Sequence, residues 1–191
     1  MEKLREVTID RLVQLRSRPK QIAFAYSSCL RNLPNYQYFS REFGWGNEYC
    51  MLQAIDLIRH FLMTGRIDDG KNTLLKLIDE NSPNSDNFQT EFSTYAQNFA
   101  SSLYYTLSNI ENVNIDELSW VLVLSRDTVD AFIHSTDEYD GDDEGHWMIK
   151  RELEKQEFDF NILSAYGEID IEVLTILSNY NSGKSTIDIP R

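Results

Sequence analysis

The stretch Asp137-Glu138-Tyr139-Asp140-Gly141-Asp142-Asp143-Glu144-Gly145-His146-Trp147 holds the densest set of side chains able to bind or react. Six carboxylates stand there without an intervening base. They repel one another and stay solvated unless a cation meets them. A metal ion is one such cation. Asp140, Asp142, Glu144 and Gly145 open like a calcium loop, but that pattern closes on a bidentate Glu at the twelfth place, where Arg151 stands. No calcium, and no other metal, is expected. A basic protein surface is the other cation. Tyr139 and Trp147 are of the types that anchor interfaces, and acids around them speed association with a basic partner. Asp137, Glu138, Tyr139, Asp140, Asp142, Asp143, Glu144 and Trp147 are therefore the candidate partner-binding residues. The competing reading is a solvated surface loop.

Other apparent motifs lack a required position. Ser182-Gly183-Lys184-Ser185-Thr186 resembles the end of a phosphate-binding loop, but Ser178 occupies the place of the first glycine. A helix precedes it where a strand is needed. It reads instead as a helix end, with Gly183 as C-cap and Lys184 facing the negative pole. Gly44-Trp45-Gly46-Asn47-Glu48-Tyr49 begins like a dinucleotide fingerprint, but Tyr49 replaces the third glycine and no strand comes before it. His60, His134 and His146 are dispersed and form no zinc-ligand spacing. Cys29 and Cys50 sit on apolar helix faces with no histidine placed to activate them, so buried, unreactive thiols are expected. Asp56 on the apolar-striped helix is within reach of Arg31 across a helix–helix contact, and a structural ion pair or a wet helix face is expected there. No catalytic residue and no cofactor is expected.

The elements that carry these residues read as helices. Leu4–Arg16 places Leu4, Ile9, Leu12 and Leu15 inward. Ile22, Phe24, Ala25, Cys29 and Leu33 recur at three- and four-residue steps. Pro19 suits a first turn, and Pro34 is expected to stop that helix at Leu33. A second helical piece, Asn35–Phe43, then carries Tyr36, Phe39 and Phe43 to a C-cap at Gly44. Asn47 caps the next helix, striped by Met51, Leu52, Ile55, Ile58 and Leu62 and closed by Gly65. Further helices are expected at 70–79, about 88–110, 115–134, about 146–166 and 170–180. Asn114 with Glu117 forms a capping-box-like start. The apolar run Trp120–Leu124 is expected to be buried on nearly all sides. The tail 185–191 is expected to extend over the surface. The fold class is all-α: a compact multi-helix bundle of about seven to nine helices in a single domain spanning 1–191.

The residues Phe24-Ala25, Cys29, Arg31, Pro34-Asn35-Tyr36, Phe39, Gly44, Gly46 and Ala54-Ile55-Asp56-Leu57-Ile58 together resemble the YjaG-like bacterial family of unknown function. Pro83, Asp86 and Phe88, the segment 125–129 and Ile169-Asp170-Ile171-Glu172 extend the resemblance more weakly. It implies an all-helical fold and no activity, because its motifs are structural corners. The acidic stretch lies outside the part that aligns.

Charge narrows the partners. The net charge is −13 over 191 residues. Residues 81–150 carry two bases against thirteen acids, so the middle third holds most of the imbalance. Such a field repels nucleic acid and anionic membrane, and attracts a basic protein. No apolar run approaches the ~20 residues that span a bilayer. The N-terminal residues lack the apolar centre of a signal peptide, and a cytoplasmic location is expected. The leading expectation is an acidic, non-catalytic protein that neutralises a basic partner. An immunity protein occluding the active site of a bacterial nuclease toxin fits best. The alternative is a housekeeping regulator, scaffold or uncharacterised enzyme of the YjaG-like family. The genes beside it separate the two.

Overall fold

The structure is a computed structural model that describes residues 2–67, 69–136, 145–183, 185 and 187. Eight α-helices and no strand occur among the described residues: α1 (Glu2–Gln14), α2 (Arg18–Phe43), α3 (Glu48–Thr64), α4 (Lys71–Glu80), α5 (Glu91–Ser108), α6 (Ile115–Ser135), α7 (Trp147–Ala165) and α8 (Ile171–Asn181). A single 3-10 turn, Ser85–Asn87, leads into α5. The all-α expectation holds.

Helix α2 is the axis. Every residue from Ile22 to Asn32 is buried, so this helix is enclosed on all sides. Helices α3, α5, α6, α7 and α8 all pack on it. One connected apolar core runs from Leu12 of α1 to Leu177 of α8. The start follows from the sequence: the Ser17 side chain accepts from Lys20 N, and Pro19 sits in the first turn.

Pro34 does not stop α2. The helix runs through it to Phe43, and Gly44 (φ 59°) closes it in the left-handed conformation. Proline in a helix interior costs about 3 kcal/mol, through a lost hydrogen bond and a clash with the preceding turn. Packing beyond Pro34 offsets this. Tyr36 and Phe39 are fully buried. The Tyr36 ring lies 5.6 Å from Phe99, and Phe39 lies 4.9 Å from Phe88. Each buried ring contributes about 1.5–3 kcal/mol.

The turn comes instead at Gly44–Asn47. Tyr36 Oη donates to the Asn81 carbonyl at 2.8 Å and accepts from Asn47 N at 3.1 Å. One phenol thus ties the end of α2, the start of α3 and the end of α4. Gly46 passes this hydroxyl at φ 89°, and a Cβ there would run into Tyr36 Oη. Asn47 caps α3 by accepting from Cys50 N, and Gly65 (φ 68°) ends it. Asn114 accepts from Asp116 N and Glu117 N at the head of α6. Within α6, Val121, Leu122 and Val123 are buried, but Trp120 is 38% exposed. Its ring lies under the Arg5 guanidinium of α1, 4.9 Å away. The run is therefore a core face with one aromatic at its edge.

Candidate functional site

The acidic stretch falls between the end of α6 and the start of α7. Asp137, Glu138, Tyr139, Asp140, Asp142, Asp143 and Glu144 lie outside the described residues. Trp147, the eighth candidate, is the first residue of α7. Half of it (51%) is exposed. The Arg151 guanidinium, one turn on, sits 4.8 Å from its ring centroid, and the His146 ring stacks beside it at 6.0 Å. A cation over an indole face holds the ring in place. His146 is buried, and its Nδ1 accepts from Met148 N at 3.3 Å, which caps α7. The base of the platform is a second small core. It joins Tyr95 of α5, Val129 and Ile133 of α6, and Met148 and Ile149 of α7 to Ile187. Trp147 is thus a rigidly rooted, solvent-facing aromatic directly after the carboxylate run.

The strongest polar constellation lies elsewhere and was not read from the sequence. Arg31, at the centre of α2, is fully buried and does not pair with Asp56, which is exposed on α3. Its partners come from 121 and 128 residues away. Arg31 Nη2 donates to Glu152 Oε1 at 3.1 Å and to Ser28 Oγ at 2.8 Å. Arg31 Nη1 donates to Asp159 Oδ2 and, at 2.7 Å, to Asn181 Oδ1. Asn181 Nδ2 in turn donates to Asp159 Oδ1 at 2.8 Å. Glu152 Oε1 also accepts from Ser125 Oγ at 2.8 Å and Gln156 Nε2 at 3.0 Å. Asn32 continues the chain to Ser125 at 2.8 Å. The cluster joins α2, α6, α7 and α8.

Its electrostatics are those of a sealed site. The side chains of Arg31, Glu152 and Asp159 have no exposed surface. Burial pushes the Asp159 carboxyl above its ordinary range, against the pull of Arg31. Burial alone would lower Arg31, but Glu152 and Asp159 carry it up. Lys155, half-buried beside the cluster, is lowered to about 8 by burial and by Arg31. With their side chains fully buried, Arg31, Glu152 and Asp159 tie α2, α7 and α8 together. The signal that could have found it is on α7. Glu152, Gln156 and Asp159 share the buried face with Ile149 and Leu163, a polar stripe where an apolar one is expected.

Both thiols are buried. Burial pushes Cys29 up to about 12, and raises Cys50 as well. Thiols held in the protonated form are poor nucleophiles. His60 and His134 are exposed, whereas Cys29 is buried in the core. Among the described residues no group of three His, Cys, Asp or Glu side chains is placed to hold a metal. None of the helices they form is long and apolar enough to cross a membrane. An open groove of about 1040 Å³ runs along α3 towards α4, past Tyr49, Asp56, Arg59, His60, Met63 and Leu74. Its charged groups are of both signs.

The fold has a solved counterpart. A crystal structure of a DUF416 family protein from Shewanella baltica OS155 superposes with a TM-score of 0.81 at 22% identity. The match covers 90% of this chain and 91% of that one. At that identity the likeness carries the fold alone. No curated protein matches the chain. The expectation of an all-helical family of unknown function agrees with the match over residues 8–189 to DUF416, described as a protein of unknown function, and the chain belongs to that family.

Proposed function

We propose that this chain is an acidic, non-catalytic binding protein that neutralises a basic protein partner in the cytoplasm. A nuclease toxin is the partner its charge fits best. The observation that carries the reading is the Trp147 platform: an exposed, pre-oriented indole at the head of α7, immediately after six carboxylates in a chain of net charge −13. Exposed tryptophan on a rigid element is the residue type that dominates interface energetics. Clustered acids raise the encounter rate with a basic surface and exclude nucleic acid from the same place. A nuclease must carry Lys or Arg where it holds phosphates, so carboxylates set there occlude its cleft.

The test starts from affinity capture with the intact chain, then measures binding kinetics against the captured protein at several salt concentrations. The captured protein should be basic. Converting Asp137, Glu138, Asp140, Asp142, Asp143 and Glu144 to Asn and Gln should slow association and flatten its salt dependence. Trp147→Ala should leave association nearly unchanged and speed dissociation, at a cost of about 2 kcal/mol. A neutralised variant that associates as fast as wild type at low salt would reduce the segment to a solvated loop. The reading of a housekeeping regulator, scaffold or enzyme would then stand in its place.

A further inference from the structure

Ser185 and Ile187, described residues beyond α8, are tied into the fold and do not extend over its surface. Ile187 is 2% exposed, set among Tyr95, Val129, Ile133, Met148 and Ile149. Those five come from α5, from the last turns of α6 and from the first turn of α7. Two residues earlier, Ser185 Oγ donates to Asn35 Oδ1 on α2 at 2.8 Å and accepts from Ile187 N at 3.2 Å. Asn35 is itself buried and donates to Asn32 Oδ1 at 3.2 Å, the outer end of the Arg31 cluster. The chain is therefore fastened at two points of different chemistry, one polar on α2 and one apolar at the α5–α6–α7 corner. The apolar point touches both helix ends that flank residues 137–144, Ile133 on one side and Met148 and Ile149 on the other.

We propose that Ser185 and Ile187 act as a strap that fixes the end of α6 and the start of α7 relative to one another. The Ile187 side chain is its plug, and the Ser185–Asn35 bond is its register pin. Among the described residues, Ile187 is the one buried contributor to the small core from outside the helices. Removing it leaves Val129 and Ile133 facing Met148 and Ile149 across a vacancy. The strap is also a point of control. Anything that lifts it, whether proteolysis or a competing segment, frees the helix ends that present Trp147. The contact stands on its own geometry, and only this last consequence rests on the binding function proposed above.

Amide hydrogen exchange on the full-length chain tests the strap without any partner. Ile187→Ala should accelerate exchange at 131–136 and 147–152 by about tenfold or more, the scale of a truncated core isoleucine. Exchange in α3 and α4 should not change. Ile187→Val should stay close to wild type. Ser185→Ala should accelerate the same two segments more weakly, because it removes the pin and leaves the plug. Unchanged exchange at the two helix ends in Ile187→Ala would overturn the strap. So would uniform acceleration through α3 and α4, which would make Ile187 an ordinary core residue. A failure of partner binding with these exchange results intact would count against the proposed function and leave the strap standing.

Discussion

Arg31 shows how much a single side chain organises here, and what it costs to disturb. A buried ion pair is weak evidence of stability in itself, because desolvation cancels most of the attraction. Its removal is different. Arg31→Leu leaves Glu152 and Asp159 buried without the guanidinium that donates to both. Loss of about 3–5 kcal/mol is expected, read as a lower urea midpoint. The triple change Arg31→Leu, Glu152→Leu, Asp159→Leu should recover most of that loss, because no unpaired charge remains. A single variant as stable as wild type would mean that water reaches the cluster. None of this was legible at the residue scale. The sequence offers Asp56 on an apolar-striped helix, 25 positions away; the polar stripe on α7 marks Glu152 and Asp159 as unusual but does not name Arg31, more than 120 positions off, as their partner. Ion pairs carry no periodicity that a single chain can display.

At the scale of elements, the caps were legible because they are local. Asn47, Asn114 and Gly44 each do what their type predicts within three or four residues. Pro34 was misread because its local preference is opposed by rings that arrive from α5 and from Phe88, residues that a window around position 34 does not contain. The same conflict yields an expectation. Pro34 is partly exposed and its backbone is helical, so Pro34→Ala restores a donor to the Leu30 carbonyl without altering the buried rings. Stability should rise, by up to about 3 kcal/mol, less the entropy that the unfolded chain regains. Urea denaturation measures it. A drop in stability would show that the packing of Tyr36 and Phe39 needs the backbone geometry that proline fixes. The strap also escaped a pattern-based reading. Ile187 and Ile189 look like a short strand trace, and nothing local says that one of them closes a core built from three distant helices.

For the whole molecule the governing quantity is charge. The chain carries 31 acids against 18 bases. Several of the bases form pairs at the surface, such as Arg41–Glu42 and Lys76–Glu80. Such exposed pairs contribute about 0–1 kcal/mol each. Uncompensated carboxylates repel one another over distances comparable to the Debye length, about 10 Å at 0.1 M salt. Folding compresses that repulsion, so adding salt should stabilise this protein. The urea midpoint should climb as NaCl is raised from about 0.01 M to about 0.3 M, a range over which the Debye length falls from about 30 Å to well under 10 Å. Urea is the denaturant to use, because guanidinium is itself a screening salt. The buried Arg31 cluster should not contribute to the slope, since screening barely reaches sealed charges. Neutralising the acids of 137–144 should flatten the slope if they form part of the uncompensated field. A midpoint that falls with salt would mean that attractive pairs within the chain outweigh the repulsion. The carboxylates would then already be satisfied internally, and little charge would be left to draw a basic partner to Trp147.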